Sequence, residues 1–253
     1  MSWKKIIKDS DNGIIATKLK HISYSLIKIG GREEFIGLHG GKMGFATFLY
    51  YYSQYTISKK YSDVAYTFLS DIFDSVNNGF NYDTYSGGLA GIARSCKHLY
   101  ENSFIEENPD DLFGKLDQYF ITHMMSFIKK GKYDYLHGGL GLALYLLDRN
   151  TPEVKASLTE FIKVLEEKGK SESDYIKWLS VLDKDKGSEG YNLSLSHGIA
   201  SIIVILAYLY RKGIKKDRTL RLINRAVNYL LKQKKSLDNF SLVPSWISKE
   251  KDG

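Results

Sequence analysis

Three histidines and one aspartate lie beside short glycine motifs, and these residue types in these positions are suited to acid–base chemistry. His137 and His197 each directly precede the first glycine of a motif, whereas His39 is one position further back. Asp134 lies four residues ahead of Gly138. Histidine changes charge near neutral pH, and a nearby carboxylate is a common orienting group or co-catalyst. The pattern predicts proton transfer where the motifs meet; the alternative is that the histidines only cap and pack helix starts.

The glycine motif occurs four times, three times as GxxG and once ending in Ser201, and each copy lies directly ahead of an apolar stretch. Successive copies begin 47, 50 and 60 residues apart, intervals that hold two helices and their loops. Glycine at a helix start allows close backbone approach and leaves N–H groups and the positive end of the helix dipole exposed. Such converging helix starts suit an anion or developing negative charge, although the glycines could also serve packing alone. The four copies are Gly41–Gly44, Gly88–Gly91, Gly138–Gly141 and Gly198–Ser201.

The segments between the motifs are amphipathic and predict helices over about residues 59–76, 110–130, 152–168 and 215–235. The stretches that follow the motifs are apolar nearly all round. We therefore expect these to form inner helices and the amphipathic segments to form outer ones. No strand-like alternation with hairpin turns is identified. The fold class predicted is all-α, built from helix pairs as a single domain over residues 1–253.

Composition is consistent with one large domain without linkers, since 43% of the 253 residues are hydrophobic and only three are prolines. The start, Met1–Asp9, lacks the apolar region of a secretory signal. The longest apolar run, 199–210, is shorter than the roughly 20 residues of a membrane span. The one cysteine, Cys96, falls inside a predicted helix and is interpreted as core. We expect a cytoplasmic protein with no membrane span.

The positive charge is concentrated in one segment. Residues 211–235 hold ten lysines and arginines and one acid, Asp217. Such a face can bind phosphate, acidic peptide or anionic lipid, or simply be solvated. Aromatic residues do not interleave with these charges as a single-strand binder would require, so no nucleic-acid partner is expected.

The residues around the motifs resemble the lanthionine synthetase C-like family, which includes the cyclases of lanthipeptide biosynthesis. The stretch Tyr133–Leu147 is similar to the family motif that opens with its catalytic aspartate. The stretch Asn192–Ser201 is similar to the motif that carries its catalytic histidine. The two earlier motifs, with Leu38–Gly41 and Tyr85–Ala93, fit the preceding repeats, so that the resemblance covers about residues 35–253.

This resemblance implies an α/α toroid of seven helix pairs, of which about four are present, so we expect the domain to be incomplete at its C-terminus. It implies addition of peptide cysteine thiols to dehydrated serine or threonine, giving thioether rings. His197 and Asp134 would be the catalytic residues. Apart from the resemblance, we expect His137, His39 and Tyr85 to be binding residues of the central pocket, with the role of His137 left open. Zinc is implied as cofactor, but the family's ligands have no counterpart here, so no metal ligand is assigned. A precursor peptide is the implied substrate, and a dehydratase partner is left open.

Alternative functions remain open at this point. A toroid without chemistry could hold a peptide or a small thiol in its centre. A glycoside hydrolase on a related toroid needs two carboxylates across a cleft, a role that Asp83 and Asp134 could be given. The three tryptophans, which such an enzyme would use as a sugar platform, lie away from the motifs in the sequence. A scaffold that uses the basic 211–235 face is a third alternative. Whether the chain is an enzyme is therefore left open.

Overall fold

The structure, a computed structural model, describes residues 11–183, 188–235 and 241–251. The start Met1–Asp9, where no secretory signal was expected, lies outside the described residues. The chain divides into two compact units: the first runs to Tyr82 and includes Ser95–Glu107, and the second comprises Asp83–Arg94 and the chain from Asn108 onward. Among the described residues, no helix has the length and apolar character that crossing a bilayer requires.

Helices form most of the described chain, as the sequence predicted. The first unit contains α1 (Asn12–Gly30), α2 (Lys42–Thr56) and α3 (Lys59–Asn77). Helix α4 (Leu89–Glu101) begins in the second unit and ends in the first. Among its described residues, the second unit continues with six α-helices: α5 (Pro109–Phe113), α6 (Asp117–Lys129), α7 (Gly139–Leu146), α8 (Pro152–Lys168), α9 (Ile199–Arg211) and α10 (Lys216–Lys232).

Every glycine motif opens a helix directly after its first glycine, which confirms the predicted starts of α2, α4, α7 and α9. The expectation that these helices are apolar all round holds best for α7, in which all eight residues are buried. Helix α2 is less completely buried and exposes Tyr51 and Tyr55. The helices between motifs bury one face, as amphipathic segments should: α8, for example, buries Val154, Leu158 and Phe161.

The helix predicted over 110–130 is interrupted. A 3₁₀ turn over Gly114–Leu116 separates α5 from α6. The guanidinium of Arg149 lies against this turn, where a Cβ on Gly114 would be 2.6 Å from its Nη2 atom. The same guanidinium pairs with Asp110 and Asp117, one on each side of the interruption. The side chain of Arg149, which is 35 residues further along the chain, thus occupies the space beside the 3₁₀ turn and pairs with a carboxylate on each side of it.

Five short strands correct the expectation that no strands are present. Strands β1 (Lys170–Ser171) and β2 (Ile176–Lys177) form one hairpin. A second, antiparallel sheet has the order β3–β4–β5, comprising Ser180–Asp183, Ser188–Asn192 and Trp246–Ser248. Strands of two to five residues are too short to show a period in the sequence. Trp246 pairs in register with Asn192, which lies six residues before the fourth motif begins at Gly198. This tryptophan is therefore close to a motif in space, although it is distant from all four in the sequence.

Candidate active site

The loops that lead into the glycine motifs share one tight backbone geometry. The first glycine adopts extended torsions at the helix N-cap, with φ between −120° and −139° at three of the four positions. A Cβ at these glycines would lie 2.1–2.7 Å from the carbonyl oxygen of the residue six positions earlier. No side chain fits there, which explains why glycine stands at these starts. The pairs of glycine and facing carbonyl are Gly41 and Phe35, Gly138 and Lys132, and Gly198 and Asn192.

Three of the four loops are joined to one another in the second unit. The N–H of Ser86 donates to the carbonyl of Leu136 over 2.9 Å, joining the loop before Gly88 to the loop before Gly138. The N–H of Tyr135 donates to the carbonyl of Ser196 over 3.2 Å, joining that loop to the one before Gly198. The predicted convergence of helix starts therefore holds for the last three motifs. The loop before Gly41 belongs to the first unit.

One position in these three loops, four residues before the glycine, always carries a side chain that closes the turn. Its oxygen accepts a hydrogen bond from the N–H three residues later. Such bonds satisfy N–H groups that the turn leaves without a backbone partner. The donor–acceptor pairs are Gly87 to Thr84 (3.4 Å), His137 to Asp134 (2.7 Å) and His197 to Ser194 (3.3 Å). The turn itself therefore requires only a short side-chain acceptor and not a carboxylate.

Asp134 uses its second oxygen for a contact that Thr84 and Ser194 cannot make. Its Oδ1 atom accepts the N–H groups of Leu136 and His137, both at 2.7 Å. Its Oδ2 atom lies 2.5 Å from Nδ1 of His197, across the junction between two loops. The carboxylate thus closes its own turn and holds the imidazole of the neighbouring loop.

The pairing determines which nitrogen of His197 can act. An ionised carboxylate only accepts hydrogen bonds, so the hydrogen between the two groups is assigned to Nδ1. This leaves Nε2 as the atom that exchanges a proton. Among the described residues Nε2 has no hydrogen-bond partner, and the side chain of His197 is 45% exposed. The geometry is that of an oriented general acid or base.

His137, predicted as a pocket residue, lies beside this pair. Its ring is nearly parallel to that of His197, with an interplanar angle of 17° and centroids 6.3 Å apart. Both residues occupy the position directly before the glycine, and the bond between their loops brings them together. The structure therefore places Asp134, His137 and His197 in one cluster.

Tyr85 lies in a neighbouring aromatic cluster that the sequence only partly revealed. Its ring meets that of Tyr135 edge-on, with centroids 5.5 Å apart. Burial, more than any neighbouring charge, raises the pKa of Tyr85, and it raises the pKa of Tyr135 to about 12. Both phenols therefore remain neutral donors near neutral pH. Arg94, which bonds to the Tyr85 hydroxyl, also donates to the carbonyl of Leu144 over 2.9 Å and pairs with Asp148.

The signal for Arg94 and Tyr135 was present in the sequence. Arg94 is the one charge in the otherwise small and apolar stretch that follows the second motif, and Tyr135 directly follows Asp134. His39, the remaining pocket candidate, lies in the first unit on an exposed turn ahead of α2, beside Gly40 with φ of +80°. The contacts that join Asp134, His137 and His197 do not include it.

A second Asp–His pair was missed. Nδ1 of His123, on α6, lies 2.5 Å from Oδ2 of Asp83, and the ring of Tyr119 packs on the imidazole with centroids 4.1 Å apart. Asp83 is 8% exposed and lies five residues before its glycine, in a position that is buried in all four loops. The other loops place Ile36, Tyr133 and Leu193 there. Because its carboxylate is buried against His123, the glycosidase alternative gains no support from Asp83.

The zinc ion implied by the resemblance is not matched by the residues present. In the part of the chain that the structure describes, no three His, Cys, Asp or Glu side chains are grouped so that they could hold a metal ion. Cys96 is buried, as expected of a core residue, and burial raises the pKa of its thiol to about 12. A buried neutral thiol is a poor metal ligand.

Part of the basic 211–235 face is used within the fold. Arg218 and Arg221 pair with Glu166 on α8. Arg225 donates to backbone carbonyls of the β1–β2 hairpin, and Lys232 lies 2.9 Å from Asp174 in the same hairpin. These contacts dock α10 on its neighbours, which reduces the charge left for a scaffold partner.

The chain is similar to known proteins in sequence and in fold. The sequence model of the lanthionine synthetase C-like protein family matches residues 36–253. The nisin biosynthesis protein NisC of Lactococcus lactis subsp. lactis is 30% identical over 183 residues, which are 65% of this chain and 44% of NisC. The solved structure of a nisin cyclase matches with a TM-score of 0.71 and 21% identity, covering 93% of this chain and 62% of the cyclase.

The structural likeness shows the fold, an all-α protein of the α/α-toroid class with small added sheets. The chain spans less than half the length of NisC and under two thirds of the nisin cyclase. Because the family model matches most of the chain, this protein belongs to the lanthionine synthetase C-like family.

Proposed function

We propose that this chain carries the acid–base residues of a cytoplasmic lanthionine synthetase C-type cyclase, which joins cysteine thiols of a precursor peptide to dehydrated serine or threonine. The observation that carries the proposal is the 2.5 Å contact between Oδ2 of Asp134 and Nδ1 of His197, made between two adjacent glycine loops. Membership of the family and the likeness to a nisin cyclase support this reaction class.

The reaction requires two proton movements and one new bond. The sulfur bonds to the β-carbon of the dehydrated residue, and the electrons of the carbon–carbon double bond shift to give an enolate. The thiol gives up its proton, and the α-carbon receives one. In this proposal Nε2 of His197 protonates the enolate. For this step the ring of His197 carries hydrogen on both nitrogens: Asp134 accepts the hydrogen on Nδ1, and the hydrogen on Nε2 is given to the α-carbon.

The glycine loops serve this step in two ways. Their tight turns hold Asp134 and His197 on elements that are bonded to each other through Tyr135 and Ser196. They also bring the N-termini of α4, α7 and α9 to one region, and the positive ends of helix dipoles favour the negative charge of an enolate. A dehydratase that supplies the modified peptide remains part of the proposal as the enzyme acting before this one.

Replacement of His197 by alanine tests the proposal in the full-length protein. Thioether formation on a dehydrated peptide, followed by mass spectrometry after thiol alkylation, should slow by about a hundredfold or more, as expected for a lost general acid. The melting temperature should change little, because the side chain is half exposed and its pair lies at the surface.

The matched control is His21→Ala, which removes an exposed histidine from α1. This variant should cyclise at the wild-type rate. Normal cyclisation by His197→Ala would remove the catalytic assignment. Inactivity of the wild-type protein on dehydrated peptide would instead favour a toroid that only binds its ligand.

A further inference from the structure

The position directly before the glycine, which His137 and His197 occupy, does not need a side chain for folding. The loops ahead of Gly41 and Gly88 have glycine there, at Gly40 and Gly87. The histidines of the third and fourth loops are therefore additions that the loop geometry does not require. Both occur in the two loops that are bonded to each other through Tyr135 and Ser196.

The imidazole of His137 has no structural task in the described part of the chain. The residue is exposed, its backbone N–H is bonded to Asp134, and its ring contacts the ring of His197. No hydrogen bond or ion pair to another described residue occupies either ring nitrogen. A histidine held by its backbone, with both ring nitrogens open to solvent or ligand, is placed to exchange protons.

Asp134 places the two imidazoles in a fixed relation. Its Oδ1 atom holds the backbone of His137 at 2.7 Å, and its Oδ2 atom holds the ring of His197 at 2.5 Å. The rings are 17° from parallel, with centroids 6.3 Å apart. One carboxylate thus sets the positions of two proton-exchanging groups, and only His197 has a negative charge against its ring.

We propose that His137 is the second acid–base residue of this site, taking the thiol proton while His197 protonates the α-carbon. This inference rests on the proposed cyclase function. The protons balance: as the sulfur–carbon bond forms, His137 gains the proton that leaves sulfur, and His197 gives one to the carbon next to the new bond. The asymmetry follows from Asp134, because the carboxylate stabilises a protonated ring at His197 and none lies against His137. A proton then returns from His137 to His197 through solvent before the next addition.

Chemical rescue of a glycine variant tests the proposal in the full-length protein. His137→Gly reproduces the residue that two other loops have in this position, so the fold should be retained. Turnover of dehydrated peptide should fall by about a hundredfold at unchanged KM and melting temperature, as for a lost general base. Added free imidazole should restore a large part of the rate, because it replaces the missing ring in an exposed position. His137→Gln, which fills the space, should be equally slow and should not respond to imidazole.

The outcomes separate this inference from the function on which it rests. If the wild-type protein cyclises the peptide and His137→Gly does so equally fast, the inference is wrong and the cyclase proposal stands. A slow His137→Gly that imidazole does not restore also counts against proton transfer by His137. If the wild-type protein itself forms no thioether, the proposed function fails first.

Discussion

Two Asp–His pairs in the second unit share one contact geometry and differ in the burial of the aspartate and in the element that carries the histidine. In both, Nδ1 of the histidine lies 2.5 Å from Oδ2 of the aspartate. The side chains of Asp134 and His197 are 28% and 45% exposed, and both come from glycine loops. Asp83, by contrast, has only 11% of its side chain exposed and is bonded to a helix residue, His123. The contact alone therefore does not distinguish a catalytic pair from a structural one.

The position in the repeat makes the distinction. Asp134 stands where the loops before Gly88 and Gly198 use only a hydroxyl acceptor, so its second oxygen is available for His197. Asp83 stands where the other loops bury isoleucine, tyrosine or leucine, so its carboxylate must be satisfied inside the protein. A buried carboxylate without a partner is costly, and His123 is the partner. We therefore interpret Asp83–His123 as a tie between the second loop and α6.

The largest expected effect is the loss of activity in Asp134→Asn. The amide keeps an oxygen for the N–H groups of Leu136 and His137, but its NH₂ group cannot accept the hydrogen on Nδ1 of His197. The imidazole then loses its orientation and the charge that stabilises its protonated form, and cyclisation should fall by about a hundredfold or more, up to the loss expected for His197→Ala. Steady-state thioether formation by mass spectrometry, with circular dichroism on the same preparation, measures both consequences.

The control for this variant is Asp134→Ser, which copies Ser194 in the same loop position. It should fold like the wild type, since its hydroxyl can close the turn, and be as inactive as Asp134→Asn. A serine variant that retained most of the activity would mean that Asp134 serves the turn only.

A smaller effect, on stability and not on activity, is expected at the second pair, Asp83 and His123. His123→Ala leaves the buried carboxylate of Asp83 without its hydrogen bond and should lower the free energy of unfolding by about 1–3 kcal/mol. Activity per folded molecule should stay near that of the wild type. Urea unfolding and thioether assays on the same protein measure the two quantities.

Asp83→Leu is the matched variant, because leucine occupies this position in the fourth loop. It removes the buried charge together with the need for a partner, so it should destabilise less than His123→Ala. Loss of cyclisation at full stability in His123→Ala would reverse the comparison and make this pair part of the active site.

Features set by neighbouring residues were predicted from the sequence, whereas features set by contacts between distant residues were mostly not. Helix starts at Gly41, Gly88, Gly138 and Gly198 were predicted correctly, because the signal is local: a glycine, then an apolar run. The family resemblance named Asp134 and His197 separately as catalytic residues, and the structure adds the contact between their side chains, which lie 63 residues apart in the sequence. The hydrogen bond by which Asp134 closes its turn was not predicted, because it is recognisable only in the three-dimensional structures of the three loops.

The features that the sequence did not predict depend on contacts that produce no periodic pattern of apolar residues. His123 has the spacing of an ordinary amphipathic-helix residue, and its partner Asp83 lies 40 residues earlier. The interruption at Gly114 lies against Arg149, a residue 35 positions further along the chain that pairs with an aspartate on each side of it. The strands around residues 170–192 are too short for alternation to be visible, and one of them pairs with Trp246 much later in the chain.

A double-mutant cycle on Asp134 and His197 tests the central claim most directly. If Asp134 acts through the ring of His197, adding Asp134→Asn to His197→Ala should reduce kcat/KM by no more than about twofold, although Asp134→Asn alone costs about a hundredfold or more. Residues that work as a unit give such non-additive losses. Two full losses that multiply in the double variant would contradict the account, since Asp134 and His197 would then act independently.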